Sequence, residues 1–131
     1  MAQLKSLIKD YLEMVTVDFD AWLNLLHDDV VFEMPYGPSA GIYGRLVGKS
    51  EIARAIKPFL ARIPALEFKN VEIHLTQNPD EAYATFEADA PVPATGKQYT
   101  QSYISLFRRR DDKVVFMREY FDPTQLNAFA S

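Results

Sequence analysis

Residues 113–126 read KVVFMREYFDPTQL, and this stretch decides what kind of sheet the chain can form. β-branched and aromatic residues predict a strand as far as Asp122, and Pro123 then begins a short helix. The strand is apolar on both faces, whereas an antiparallel sheet with one solvated face alternates apolar and polar residues. We therefore expect both faces to be covered, one by the core and the other by a second copy in a homodimer.

Upstream of that strand, the sequence places its helices first and its other strands later. Apolar residues at helical spacing predict helices over 4–15 and 19–26, and a third helix that Pro58 should kink or split. Shorter alternating runs predict strands at 30–34, 66–75, 82–90, 99–108 and 113–122. This order predicts a single α+β domain over 1–131, with helices packed on one face of the sheet.

Composition narrows the class of function. The net charge is −4 and no extended basic patch is present, so nucleic acid is not an expected partner. The chain has no cysteine, which suits a cytoplasmic protein, and no metal-ligand spacing. No apolar run approaches the roughly 20 residues that a membrane span needs. We expect a protein that binds a small molecule without a metal or cofactor and without a membrane.

Residues 35–48, PYGPSAGIYGRLVG, form a long loop that holds all but one of the five glycines. Long loops in compact domains often carry functional residues, because the rest of the fold holds them in place. We therefore expect this loop to contribute to a binding site.

Two stretches resemble a known family: residues 11–35, which end HDDVVFEMP, and residues 113–126. The order of helix, Asp-Asp, short strand and proline, with a last strand ending REYF, resembles the SnoaL-like branch of the ketosteroid-isomerase and nuclear-transport-factor-2-like superfamily. The segment IPALEFKNV at 63–71 is similar to the phenazine-biosynthesis A/B proteins. The resemblance implies a cone-shaped, curved antiparallel sheet packed on N-terminal helices (a cystatin-like α+β barrel), usually dimeric, around a pocket for a small molecule.

The resemblance also implies roles for particular residues. Tyr11 falls where steroid isomerases place an oxyanion-stabilising tyrosine, but Met34 and Ser105 fall where they place two aspartates. The steroid-isomerase mechanism is therefore not expected. Phenazine-type proteins use a glutamate on the last strand, which matches Glu119, and a tyrosine on the preceding strand, which matches Tyr99. Glu119, Tyr99 and Tyr11 are the predicted catalytic residues.

Glu119 also stands out from its neighbours alone. Met117 and Phe121 share its face, and a carboxylate among apolar side chains is desolvated. Desolvation raises the pKa of a carboxyl group toward the range useful for acid–base catalysis. The alternative is a surface glutamate beside Arg118 at the end of a strand.

The turn at 111–112 decides which residues share a face with Glu119, because one residue of register moves every side chain to the other face. A two-residue turn would place Glu119 opposite Ile104, whereas a bulged loop would place it opposite Tyr103. We predict the bulged loop, since aspartate tolerates the left-handed backbone that it needs. That register would gather polar side chains near Glu119: Tyr99, Gln101, Tyr103 and Ser105.

Further side chains are predicted to line the pocket. Glu87 and Asp89 alternate with Phe86 and Ala88, and either parity could face inward; the superfamily pattern favours the acids. Trp22 is expected in the core or at the pocket mouth. The complete set of predicted substrate-binding residues is Tyr103, Ser105, Gln101, Met117, Phe121, Glu87, Asp89, Trp22 and Met34.

Two functions are compatible with these residues. The first is a cofactor-free acid–base enzyme for a small, partly apolar carbonyl or polyketide-like metabolite, of the isomerase, cyclase, dehydratase or condensation type. There Glu119 would move the proton, and a phenol would stabilise the oxyanion. The second is a non-catalytic module for ligand binding or dimerisation, since this fold hosts many functions.

Overall fold

The computed structural model describes residues 3–130, so residues 1, 2 and 131 of the predicted domain lie outside it. Its helices are α1 (Leu4–Val17), α2 (Phe19–Asn24) and α3 (Lys49–Ala61), with 3₁₀ helices at Pro38–Ala40 and Pro123–Phe129. Its strands are β1 (Leu26–Glu33), β2 (Arg45–Val47), β3 (Phe68–Leu75), β4 (Glu81–Val92), β5 (Lys97–Arg110) and β6 (Lys113–Phe121). No helix within this part of the chain is long and apolar enough to cross a membrane.

The strands of the described chain form one curved sheet in the order β2-β1-β6-β5-β4-β3. Helices pack on one of its faces, so the predicted α+β class is confirmed. The sheet is mixed and unclosed rather than purely antiparallel, because β1 runs parallel to β6. Hairpins force antiparallel neighbours, but β1 and β6 are joined only through the rest of the domain, so no tight turn sets their direction.

The burial pattern of β4 shows most clearly which face of the sheet is the inner one. Ala82, Ala84, Phe86 and Ala88 are buried there, while the residues between them are exposed or half-buried. The small alanines leave room for α1, whose apolar stripe is buried from Leu4 to Val15. The core therefore lies between α1 and the inner face of the sheet.

The structure corrects the end of the second predicted helix and shows that Pro58 does not split the third. The second helix ends at Asn24, and Leu26, fully buried beside Val114 of β6, already belongs to β1. Tertiary pairing thus overrides helical spacing at this point. Pro58 neither splits nor ends α3, because it lies on the exposed side, where water can satisfy the carbonyl group that the missing N–H leaves free.

The β5–β6 hairpin orients the last strand. Its turn has two residues, Asp111 (φ 53°) and Asp112 (φ 59°), so the predicted bulged loop is wrong. The ladder instead takes up an extra residue at Val115, between the pairs Arg109–Val114 and Arg108–Phe116. This bulge shifts the register by one residue, so that Glu119 lies opposite Ser105 and on the inner face. The predicted face is therefore confirmed, through a different local structure.

A second bulge lies in β3 at Asn70. Asn70 has a φ of 53°, and the pairing of β3 with β4 slips between Lys69 and Glu72. The slip changes which parity of β3 faces the core, so that Phe68 and Ile73 are the half-buried residues of this strand.

Candidate active site

A cavity of about 500 Å³ opens between the sheet and α3. Tyr99, Tyr103 and Glu119 line it from β5 and β6, and Ile56 and Phe59 line it from α3. The glycine-rich loop reaches it through residues 41–43, whose side chains are exposed and so form its rim. The volume suits a small organic ligand, and most of the wall is apolar.

Glu119 places its carboxyl group at the wall of this cavity. Burial raises the pKa of Glu119 from its ordinary value of 4.5 to about 7, and a hydrogen bond from Ser105 acts in the opposite direction. Protein surrounds the carboxyl group of Glu119. The residue as a whole is only half-buried, because the part of it that remains accessible faces the cavity. Near neutral pH both protonation states are populated, so Glu119 can give or take a proton.

Two phenols on β5, those of Tyr99 and Tyr103, form a hydrogen-bonded pair beside Glu119. The hydroxyl oxygens of Tyr99 and Tyr103 are 2.7 Å apart, and both residues are buried. Burial raises the pKa of Tyr99 to about 12 and that of Tyr103 well above its ordinary value, with the charge of Glu119 contributing to both. Both phenols therefore stay protonated. One hydroxyl proton is used within the pair, which leaves the other free to donate to a ligand.

Tyr11 approaches Glu119 from the helix side. It is buried on α1, with its ring edge-on to Phe107 (centroids 5.0 Å apart) and to Trp22 (5.5 Å). Burial and, secondarily, the charge of Glu119 raise the pKa of Tyr11 well above its ordinary value. A third protonated phenol is thus placed within electrostatic reach of the same carboxyl group.

Gln101 lies on the predicted face and is 1% exposed, but its side-chain amide is already hydrogen-bonded to the backbone of Asp122. Its Nε2 donates to the Asp122 carbonyl oxygen (2.9 Å), and its Oε1 accepts from the backbone N–H of Asp122 (2.7 Å). Gln101 therefore anchors the start of the C-terminal 3₁₀ helix.

The predicted apolar residues of the site divide between the core and the cavity. Met117 is 1% exposed and belongs to the core, whereas Met34 and Phe121 line the cavity.

The prediction that Glu87 and Asp89 face inward is wrong. Both side chains are exposed on the outer face, because the apolar parity of β4 takes the core. Glu87 accepts a hydrogen bond from Asn70 (3.0 Å), and Asp89 accepts one from Gln98 (2.7 Å). Hydrogen bonds from Gln98 and Thr100 lower the pKa of Asp89, because they stabilise its ionised form.

Trp22 is 1% exposed, so it lies in the core rather than at the pocket mouth. It lines a smaller inner chamber of about 60 Å³, together with Tyr11, Tyr103 and Glu119. Four residues line both spaces, so the inner chamber adjoins the main cavity: Ile56, Phe59, Tyr103 and Glu119.

Sequence reasoning missed several residues of the cavity wall. Ile56 and Phe59 follow the apolar spacing of α3, which does not distinguish a cavity wall from a packed core. Ile42 and Tyr43 lie in the loop that was singled out as a whole, and their apolar side chains were the available signal. Among residues 3–130, no group of three or more His, Asp or Glu side chains is placed to hold a metal ion.

The chain is similar to known proteins in both sequence and structure. The model of the SnoaL-like domain family matches residues 8–117. The chain is 34% identical over 110 residues to the uncharacterized protein YesE of Bacillus subtilis, covering 84% of this chain and 74% of that protein. It is 30% identical over 106 residues to the uncharacterized PhzA/B-like protein PA3332 of Pseudomonas aeruginosa, covering 81% and 74%.

Solved structures show the same fold. A Bacillus subtilis protein provisionally called an isomerase superposes with a TM-score of 0.88 at 30% identity, covering 98% of this chain and 96% of that one. A phenazine biosynthesis-related protein of Pseudomonas aeruginosa superposes with a TM-score of 0.79 at 17% identity, covering 96% and 84%. The family match, the two relatives and the shared architecture lead to one conclusion: this chain belongs to the SnoaL-like domain family, with the fold of nuclear-transport-factor-2-like proteins.

Proposed function

We propose that this protein is a cofactor-free enzyme that moves a proton next to the carbonyl group of a small, partly apolar metabolite. One observation carries the proposal: Glu119, with its pKa raised to about 7, lies at the wall of a largely apolar cavity among protonated phenols. A perturbed carboxyl group in such a pocket is a candidate for acid–base catalysis. The provisional isomerase name of the Bacillus subtilis structure supports the same reaction class.

The groups in the cavity suit a sequence of two proton transfers. Ionised Glu119 would accept a proton from the carbon beside the carbonyl, and the electrons would move onto the carbonyl oxygen. A phenol proton of the Tyr99–Tyr103 pair, or that of Tyr11, would stabilise the resulting enolate. Return of the proton to another carbon gives isomerisation, and attack of the enolate carbon on a second carbonyl gives an aldol-type cyclisation.

The alternative is a module that binds a ligand without turning it over. Met34 and Ser105, which stand where the steroid isomerases of this superfamily have aspartates, favour it. The two functions differ in whether bound ketones exchange protons.

We predict that the protein catalyses deuterium uptake at the carbon beside the carbonyl of simple ketone probes, such as 2-cyclohexenone, in D₂O. The rate should rise with pH through about 7 and then level off, because only the ionised form of Glu119 accepts a proton. Proton NMR of the probe over pH 5 to 9 measures it. Probe binding without exchange at any pH would establish the non-catalytic alternative.

We also propose that the outer face of β5 and β6 pairs with a second copy in a homodimer. Ile104 is 41% exposed there, opposite half-buried Tyr120, and Phe116 lies nearby under the guanidinium groups of Arg108 and Arg118. Apolar groups on central strands normally need a cover. We expect sedimentation to give twice the monomer mass and Ile104→Lys to shift the equilibrium to monomer. A wild-type chain that sediments as a monomer at high concentration would contradict this.

A further inference from the structure

Glu119 has no cationic partner in the part of the chain that the structure describes. Its carboxyl group belongs to none of the salt bridges among residues 3–130. Burial and a hydrogen bond from Ser105 act on its pKa, and no basic side chain of the described residues does. Proteins normally pair a buried charge, because removing a carboxylate from water without a counter-charge is unfavourable. A positively charged ligand could supply the partner that ionised Glu119 lacks.

Within the described chain, Glu119 is also the only charged residue that lines the main cavity or the inner chamber. Two arginines on adjoining elements have partners elsewhere. Arg62, just after α3, donates to the carbonyl oxygen of Phe129 (3.0 Å). Arg118, the neighbour of Glu119 in β6, donates to Glu33 (2.9 Å). A ligand carboxylate or phosphate would therefore find no counter-charge in this space and would meet Glu119 as a like charge.

The polar groups of the wall suit a protonated primary amine, which carries three N–H donors and no acceptor. The Glu119 carboxylate and the hydroxyl oxygens of Tyr99 and Tyr103 can all accept. Each hydroxyl oxygen has two lone pairs, and the 2.7 Å bond between the phenols uses only one of them. A hydrogen bond between two charged groups is about twice as strong as a neutral one. The three N–H groups of an ammonium ion can thus all be satisfied at this wall.

We propose that the cavity binds primary amines with an apolar body as their ammonium ions, with Glu119 as the counter-ion and the hydroxyl oxygens of Tyr99 and Tyr103 as further acceptors. The apolar body packs against Ile56 and Phe59 in the space of about 500 Å³. This inference goes beyond the proposed function, because it requires binding and no turnover. An amine held in this way occupies the proposed base and competes with ketones.

Binding of the amine depends on the ionisation of Glu119. The titratable and hydrogen-bonding groups that act on its carboxyl group are the phenols of Tyr11, Tyr99 and Tyr103 and the hydroxyl of Ser105. The pKa of each phenol is raised, so these groups stay neutral between pH 5 and pH 9. The pKa of Glu119 is about 7, and an alkyl amine stays protonated below about pH 10. Affinity for the amine should therefore rise from pH 5 to pH 8, by roughly tenfold or more.

Three probes with one ring and different head groups test the charge preference: cyclohexylmethylamine, cyclohexylmethanol and cyclohexanecarboxylate. Titrations of the wild-type protein at pH 8, followed in ¹H–¹⁵N spectra, give the three affinities. We expect the amine to bind at least roughly tenfold more tightly than the alcohol, and the carboxylate more weakly than the alcohol. Equal affinities for amine and alcohol, or tighter binding of the carboxylate, would overturn the proposal.

Glu119→Gln and Glu87→Gln separate a counter-ion from general attraction to an acidic protein, because both remove one carboxyl group. Glu119→Gln should abolish the advantage of the amine over the alcohol, and Glu87→Gln should keep it. The wild type at pH 5 should lose most of this advantage without any substitution. An advantage that survives in Glu119→Gln, or that falls equally in both variants, would contradict Glu119 as the counter-ion.

The amine titrations and the deuterium-exchange measurement fail separately. Amine preference without exchange of ketone protons would remove the proposed function and leave the ammonium site standing. Exchange of ketone protons without amine preference would remove the ammonium site and leave the proposed function standing.

Discussion

Glu119→Gln is expected to lower the rate of deuterium exchange into ketone probes by roughly 10²- to 10⁴-fold, the usual contribution of a general base. The amide has nearly the same shape and can still hydrogen-bond, but it cannot accept a proton from carbon. Affinity for the probe should therefore change little. The measurement is the exchange rate at saturating probe, with binding followed separately by NMR titration.

Glu87→Gln is the matched control, because it makes the same chemical change on the exposed outer face of β4. Its exchange rate should equal that of the wild type. If Glu119→Gln retained the wild-type rate while Glu87→Gln did too, the carboxyl group in the cavity would not be the base. The proposed mechanism would then be wrong even if ketones bind.

Glu119→Gln is also expected to stabilise the folded protein above neutral pH, by up to about 3 kcal/mol. In the folded state the pKa of Glu119 is about 7, against an ordinary value of 4.5. Below pH 4.5 the group is protonated in both states and has no effect. As pH rises from 4.5 to 7, the unfolded chain loses this proton first, so the wild type loses stability, and the loss is complete above pH 7. Glutamine carries no charge and avoids the loss.

Urea unfolding of wild type and Glu119→Gln at pH 4.5 and pH 8 measures this effect. The two proteins should be close in stability at pH 4.5 and should diverge at pH 8. Glu87→Gln, which makes the same chemical change on the exposed outer face, is measured beside them as the control. A difference between wild type and Glu119→Gln that is the same at both pH values would mean that packing, rather than ionisation, separates them. Lost activity with gained stability is a common trade-off at catalytic groups.

The orientation of Glu119 shows how far local sequence signals reach. Asp111 and Asp112 signal a turn, and aspartate allows either a two-residue turn or a bulged loop there. What sets the face is the extra residue at Val115, which is the second of two consecutive valines and has no local signature. A bulge is chosen by the ladder on both sides of it, so its place depends on residues far away in the chain.

Glu87 and Asp89 show a case in which the local sequence pattern did indicate the correct face of the strand. The alternation in β4 was visible in the sequence, and the alanines at 82, 84 and 88 were the signal that this parity packs under a helix. The superfamily pattern suggested the other parity, and the structure follows burial. Where one parity is small and apolar and the other charged, the hydrophobic effect decides between them.

The sequence alone determined the α+β class of the fold and the glycine-rich loop from Pro35 to Gly44, because periodicity and turn residues act locally; the last part of the predicted loop, Arg45–Val47, is instead strand β2. The tertiary structure alone decided the bulge at Val115 that turns Glu119 inward, the parallel pairing of β1 with β6 and the Tyr99–Tyr103 hydroxyl pair. These features depend on distances between residues that are remote in sequence or on the packing of whole elements, and no local pattern encodes such distances.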